Sequence, residues 1–295
     1  MDKSEISDLL VHIDAELARH GYTIPQRPIH AVMKVGHSLG LPLPMTKPKQ
    51  DNQNPSAVNW PIVESIYQWY ENRYGDRIKK DFSPGTIAVP IRDDVYIVKL
   101  PAVYGTVSFY AKRERNPKPQ TFSQERIAFN VLDAFKDLAD GLREALTDEE
   151  LQHIQSLFVF TLSTITKARS LAKNEQLMSL ALADINTSAN HLNDNQREYG
   201  LSKWASLQAA EKSLKHVILS QTGSHPHGHN LKELYKDARS HGLSDNLQDA
   251  ITYIQCSAGV RYGEESVPRG DALDAHHASI VILNGVTELI ERNKP

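Results

Sequence analysis

The sequence contains little of what marks disulfide-rich, metal-bound, membrane-spanning or strongly basic proteins. Cys256 is the single cysteine in 295 residues, which excludes an internal disulfide and a cysteine-rich zinc module. The net charge of −3 argues against coating nucleic acid through bulk positive charge. Apolar runs such as 279–283 are too short to span a bilayer, and the first residues lack the apolar core of a signal peptide. We therefore expect a cytoplasmic protein without a membrane partner.

Motifs for common cofactors are also missing. The sequence contains neither a phosphate-binding P-loop nor a Gly-rich dinucleotide fingerprint. His225, His227 and His229 alternate in a short loop, and neutral imidazoles favour zinc, copper or nickel. Because no nearby cysteine completes a closed tetrahedral site, we predict no metal and no cofactor.

The first 172 residues combine helical and strand patterns. Apolar residues make up 40% of the chain, which is ample to fill a core in each of two domains. Helical spacing predicts three helices, at 4–20, 30–39 and 61–74. Short β-branched and aromatic runs predict a three-stranded antiparallel meander, formed by 86–91, 94–100 and 106–112. Pro90 places its strand at a sheet edge. The first domain, 1–172, is therefore predicted to be α+β.

The remaining patterns are helical. Thr121 or Ser123 is predicted to cap a long helix that runs through Leu146. Thr147 and Glu150 form a capping box, which starts a further helix to about residue 171. From residue 174 onward we predict five helices, at 174–198, 202–221, 230–241, 244–257 and 271–292. The predicted fold class is mainly α, with the α+β domain followed by an all-α up-down bundle at 173–295.

Several phrases of the second domain occur in an order that is typical of one family. Tyr199 precedes the phrase LQAAEKSLK at 207–215, and GHNLKEL follows at 228–234. The pair Arg261-Tyr262 then precedes an alanine-spotted last helix. In this order and spacing, residues from about 180 to 292 resemble the HEPN domain family. The resemblance implies a helical bundle, association with RNA or nucleotides, and a homodimer.

Part of this signature encodes the fold itself. Asn230, with Glu233 three residues later, is a helix N-cap and a variant of the capping box. Ala205, Ala209 and Ala210 permit close approach of neighbouring helices. These residues therefore predict packing and not chemistry.

The resemblance also implies a candidate catalytic pair. Many family members are metal-independent ribonucleases, of toxin or defence systems, that carry an arginine and, after four to six intervening residues, a histidine. Arg269 and His276 match this pattern with six intervening residues. Arg269 would stabilise charge on the phosphate oxygens, and His276 would transfer a proton. In the alternative interpretation, Arg269 is a solvated loop residue and His276 packs against a neighbouring helix.

Four residues are candidates for contacts with RNA or nucleotides. Arg261 and Tyr262 form the family's pair, and Lys212 and Lys215 lie in the LQAAEKSLK phrase. The alternative role of Arg261 is a tethering salt bridge. The basic and aromatic segment 84–118 also suits single-stranded RNA, unless its aromatic residues face the core. The leading hypothesis is a protein that associates with RNA or nucleotides, and ribonuclease activity is left open. The alternative is a non-catalytic module for dimerisation or partner docking.

Overall fold

The computed structural model describes residues 3–47, 58–115, 127–173, 175–193 and 198–293. The chain divides into two compact units, Met1–Phe82 and Ser83–Pro295. The predicted domain boundary between residues 172 and 173 lies inside the second unit. The boundary at 172/173 stays a prediction, and it marks where the family resemblance begins.

The first unit is a small helical cluster. Its elements are α1 (Lys3–Arg19), α2 (Arg27–Leu39), α3 (Trp60–Tyr74) and a 3₁₀ turn (Gly75–Ile78). The apolar side chains at helical spacing, such as Leu10 and Leu17, are buried, as predicted. A proline in the first turn of α2 suits the helix start, because proline lacks the N–H group that a first turn leaves unpaired.

The strands of the second unit form two separate pairs. Strands β1 (Thr86–Ile91) and β2 (Asp94–Lys99) form an antiparallel hairpin, and Arg92 at its turn has a positive φ of 55°. Strand β3 (Val107–Tyr110) instead pairs in parallel with β4 (Ile127–Asn130). The predicted three-stranded meander is therefore wrong, although its first hairpin is confirmed. The Asn130 amide donates to the carbonyls of Lys112 and Glu114 and so fixes the chain after β3 beside β4.

The predicted helix from Thr121 or Ser123 to Leu146 is also wrong in the described residues; its predicted caps lie outside them. Strand β4 is followed by a 3₁₀ turn, Val131–Ala134, and a short helix, α4 (Asp140–Ala145). The residues chosen for the apolar face, Val131, Phe135 and Leu138 among them, are nonetheless buried. Their spacing predicted burial correctly, but pairing with β3 overrides the helical preference of this segment.

The rest of the second unit is a helical bundle, which confirms the mainly α fold class. Its helices are α5 (Asp148–Leu171), α6 (Gln176–His191), α7 (Tyr199–Thr222), α8 (Leu231–Ser240), α9 (Gln248–Ile254) and α10 (Arg269–Arg292). Helices α6 and α7 are antiparallel, since Ser188 contacts Ser206 and Asp184 contacts Lys212. Thr147 and Glu150 form the predicted capping box of α5, and Asn230 caps α8.

Helix α5 connects the strands to the bundle. The Gln155 side chain bonds the backbone of Phe109 and Ala111 around β3. Farther along, Thr164 contacts Asn284 on α10 at 3.1 Å. In the part of the chain that the structure describes, α5 and the other helices are too short or too polar to cross a membrane.

Candidate functional site

The N-terminal half of α10 lies against the outer edge of the β1–β2 hairpin. The Ala88 N–H donates to Nε2 of His276 at 3.2 Å. The Ala88 carbonyl oxygen lies 2.8 Å from Nε2 of His277. Two consecutive histidines of α10 therefore bind the N–H and C=O groups of one strand residue.

The same edge of β1 has no unpaired N–H group along its described length. Thr86, two residues before Ala88, donates its N–H to Oδ1 of Asn186 on α6 at 2.7 Å. Pro90, two residues after Ala88, has no N–H to donate. Because alternate residues of a strand face the same edge, side chains of the bundle complete an edge that would otherwise be open. The predicted edge position of Pro90 is confirmed.

His276 is a neutral, buried residue in this arrangement. Its side chain has no solvent exposure, and its Nδ1 lies 3.2 Å from the Ser188 hydroxyl. Since Nε2 accepts a hydrogen bond from Ala88, the proton of the neutral ring lies on Nδ1 and is donated to Ser188. Burial lowers the pKa of His276 well below its usual value, and the adjacent His277 lowers it further. Both nitrogens are thus used within the protein.

Arg269, the first residue of α10, contacts the turn of the same hairpin. Its guanidinium donates to the carbonyl of Asp93 in the β1–β2 turn. Arg269 and His276 therefore both hold the hairpin, at its turn and at its strand. The structure does not bring them together around an open groove. A general base must reach the proton that it removes, and here His276 contacts Ala88 and Ser188 instead.

The two predicted lysines are occupied by carboxylates. Lys212 forms an ion pair with Asp184 at 2.5 Å. Lys215 forms an ion pair with Glu211 at 2.9 Å, and both side chains are more than nine-tenths buried. A buried ion pair is disrupted only at considerable energetic expense. These ammonium groups therefore serve the interior of the bundle in this conformation.

Arg261 and Tyr262 lie on the surface, beside Trp204 of α7. The guanidinium carbon of Arg261 lies 6.0 Å from the centre of the Trp204 ring and 5.7 Å from that of Tyr262. Tyr262 is 67% exposed. Among the described residues Arg261 forms no ion pair, so cation–π contacts replace the tethering salt bridge of the alternative interpretation. We call Trp204, Arg261 and Tyr262 the aromatic surface.

A close backbone contact positions this surface. Arg261 and Tyr262 belong to a 3₁₀ turn, Ala258–Tyr262. Gly200, in the first turn of α7, lies so close to this turn that a Cβ atom would be 2.5 Å from the Val260 carbonyl oxygen. Glycine is needed here because the backbones touch. Sequence reasoning missed both Gly200 and Trp204, although Gly200 directly follows the Tyr199 that carries part of the family resemblance.

The other candidate residues have structural partners. His229 contacts Glu211 at 2.9 Å, and the rings of His225 and His227 are 6.4 Å apart. Three or more metal-binding side chains do not converge anywhere in the described ranges. Cys256 packs against the core, and burial raises the pKa of its thiol to about 11. Such a thiol is mostly protonated and therefore weakly nucleophilic at neutral pH.

Three arginines of the basic segment 84–118 are tied to neighbouring acids, and residues 116–118 of this segment lie outside the described residues. Arg92, Arg113 and Arg115 form ion pairs, with Glu150, Asp148 and Asp140 respectively. The aromatic rings of Tyr96 and Phe109 pack against the core. The core-facing alternative for these two rings is therefore confirmed.

Comparison with known proteins gives one match. Neither the curated proteins nor the solved structures contain a match to the chain. The family model of the HEPN domain matches residues 174–290, which span helices α6 to α9 and nearly all of α10. The matched segment contains the aromatic surface and the pair Arg269 and His276. Residues 174–290 of this chain therefore match the HEPN domain family.

Proposed function

We propose that this HEPN-like domain binds single-stranded RNA or nucleotides through the aromatic surface. The observation that carries the proposal is the position of the Arg261 guanidinium beside the rings of Trp204 and Tyr262. Proteins recognise unpaired bases by stacking them on aromatic rings and on arginine planes. An exposed Tyr262 beside an arginine without an ion pair in the described chain offers both groups to one ligand.

Arg261 is the group of the aromatic surface that would bind a phosphate, beside two carboxylates, Glu264 and Glu265, that lie against the same turn. Arg261 presents hydrogen-bond donors that match phosphate oxygens. The nearby Glu265 accepts a hydrogen bond from the Ser257 hydroxyl, which ties its carboxylate to the turn. The ligand would stack on Tyr262 while Arg261 binds its phosphate. Lys212 and Lys215 are left out of the proposed contact because each already has a carboxylate partner.

The test is the affinity for a fluorescently labelled single-stranded RNA, measured by anisotropy. Tyr262→Ala should weaken binding roughly 5- to 150-fold, the range that corresponds to about 1–3 kcal/mol for one stacked base. Tyr253→Ala is the matched control, because Tyr253 is 55% exposed on α9, outside the aromatic surface. Unchanged binding by the Tyr262 variant, or an equal loss in both variants, would refute the proposal.

The ribonuclease hypothesis requires a change in the contacts of Arg269 and His276. Arg269 and His276 would have to release Asp93 and Ala88 before they could contact a phosphate. With the hairpin bound, we expect no cleavage of RNA in EDTA. Cleavage that is lost in Arg269→Ala, a substitution at a partly buried position, would instead support a catalytic pair and a toxin- or defence-type role.

A second candidate function is docking of a protein partner. A groove of about 360 Å³ lies between α9 and α10, beside the exposed Tyr253 and Val281. Asp249 and Asp274 line it, so it favours a basic partner segment over a second copy of the same acidic face. The predicted homodimer stays a prediction. Light scattering of the native chain would test it, and a groove that takes a basic partner predicts that Tyr253→Asp leaves the oligomeric state of the chain unchanged.

A further inference from the structure

The groove between α9 and α10 contains two carboxylates that the fold does not use. Asp249 and Asp274 line it from the two helices, and neither forms an ion pair or a hydrogen bond with the part of the chain that the structure describes. Among the described residues, its lining includes neither lysine nor arginine. By contrast, Asp140 and Asp148 elsewhere in the second unit are paired with arginines. The groove therefore presents negative charge to an outside ligand.

An exposed aromatic ring lies beside these carboxylates. Tyr253 is 55% exposed and follows Asp249 by four residues on α9, so the two side chains lie on the same face of that helix. On α10, Val281 follows Asp274 by seven residues and shares its face in the same way. Aromatic side chains are enriched in protein interfaces. The groove therefore combines an aromatic ring and an apolar side chain with its negative charge.

The imidazole of His277 adds a hydrogen-bond acceptor to the same lining. Its Nε2 lies 2.8 Å from the Ala88 carbonyl oxygen. Because a carbonyl oxygen can only accept, Nε2 holds the proton of the neutral ring and Nδ1 is unprotonated. Nδ1 forms no hydrogen bond with a described residue, and it is not among the sealed polar atoms that lack a partner, so it keeps contact with solvent. Burial lowers the pKa of His277, and the ring adds no positive charge at neutral pH.

We propose that this groove binds the guanidinium group of an arginine in a basic segment of a partner protein. The inference rests on the docking function proposed for the groove and names the group that docks. A guanidinium has five N–H donors in one plane, so it can bind the carboxylates of Asp249 and Asp274 while its face stacks on the ring of Tyr253. An ammonium has the same charge but no plane that stacks. The negative charge repels phosphates, so this site is distinct from the aromatic surface.

Three peptides that differ at one position test the charge and the plane of the ligand. Each has arginine, lysine or citrulline between two leucines, with both ends blocked, and each is titrated into the full chain and followed by NMR chemical shifts. Citrulline keeps the shape of arginine and lacks its charge. The arginine peptide should bind roughly threefold more tightly than the lysine peptide, and the citrulline peptide should bind more weakly than both.

The outcomes separate this inference from the docking function on which it rests. If the lysine peptide binds as tightly as the arginine peptide or more tightly, the guanidinium assignment is overturned and docking of a basic segment stands. If the citrulline peptide binds as tightly as the arginine peptide, or if the arginine peptide does not bind at millimolar concentration, both are overturned.

Substitutions locate the site. Asp274→Asn should weaken binding of the arginine peptide roughly fivefold, because it removes the charge and keeps the shape. Asp271→Asn is the matched control: Asp271 is exposed on the same helix and outside the groove. Tyr253→Leu should weaken binding roughly threefold, whereas Tyr253→Phe, which keeps the ring, should bind as the native chain does. Equal effects of the two asparagine variants, or native binding by Tyr253→Leu, overturn the proposal.

Discussion

Two buried histidines of the bundle differ in how their nitrogens are used. His276, at the hairpin end of α10, is fully buried, and both of its nitrogens have partners. His216, at the other end of the bundle, is almost as buried, yet its Nδ1 has no partner among the described residues. Buried polar groups in folded proteins are nearly always paired, and each exception needs an explanation. Here the paired histidine holds the fold together, and the unpaired one adjoins a cavity at the ends of α5, α7 and α10.

The largest effect that would test this contrast is the loss of His276. His276→Ala removes both hydrogen bonds, leaves the buried N–H of Ala88 unpaired and opens a cavity. We expect the free energy of unfolding to fall by about 3 kcal/mol. Urea unfolding followed by circular dichroism measures it, with His12→Ala, at an exposed position on α1, as the control. A loss below about 1 kcal/mol would contradict the structural role of His276.

The pH dependence of stability gives the next effect. The pKa values of His276, His277 and His216 are all lowered from 6.5. Below about pH 6.5 the unfolded chain therefore takes up protons that the folded chain does not. Unfolding free energy should fall as the pH is lowered, by up to about 1.4 kcal/mol per pH unit for each such histidine. Above pH 6.5 this dependence should vanish.

A substitution assigns part of that slope to His276. In His276→Gln, the amide oxygen can still accept from Ala88 and the amide nitrogen can still donate to Ser188, but the side chain does not titrate. Urea unfolding between pH 5 and 6.5 should therefore give a shallower slope than the native chain. His12→Gln should leave the slope unchanged. A native slope in His276→Gln would mean that His276 is protonated in the folded state.

Removal of Arg269 should have a smaller effect than removal of His276. Arg269 is partly buried, and its bond to the Asp93 carbonyl is one of several contacts that hold the hairpin. We expect Arg269→Ala to lower the unfolding free energy by about 1 kcal/mol. Amide exchange in β1 and β2 should accelerate more than exchange in α7. Uniform acceleration throughout the bundle would show that Arg269 does not act on the hairpin.

The smallest effect is expected at the unpaired histidine, and its sign is the informative part. His216→Leu replaces a buried, unpaired polar group by an apolar one of similar size, so it should stabilise the fold by about 0.5 kcal/mol or leave it unchanged. Differential scanning calorimetry resolves this shift. Destabilisation comparable to that of His276→Ala would mean that His216 has a structural partner and would erase the contrast between the two residues.

Local signals in the sequence predicted most of the helices. The capping residues Thr147 and Asn230 act where they were expected. The parallel pairing of β3 with β4 was missed, because segment 127–138 has helical apolar spacing and the pairing depends on tertiary contacts. Distant contacts decide which local preference wins.

The candidate site was predictable only in part. The sequence indicated that Arg269 and His276 lie near the start of the last helix, and the structure places both on α10. The partner of His276, however, is Ala88, 188 residues away. Periodicity and motif spacing contain no information about such a contact. The unpaired Nδ1 of His216 was equally unpredictable from the sequence, because the burial of this residue depends on the ends of three helices.

The contacts of His276 and His277 with the Ala88 backbone have a consequence for how the hairpin sequence can vary. His276 and His277 bind only the main-chain atoms of position 88, which every residue except proline supplies. These two contacts therefore depend on the register of the strand and not on the side chain at position 88. The only restriction on that side chain is its size, because Ala88 is fully buried. A hairpin of quite different composition could replace this one. A slip by a single residue could not occur, because it would turn the N–H and C=O groups of position 88 toward β2.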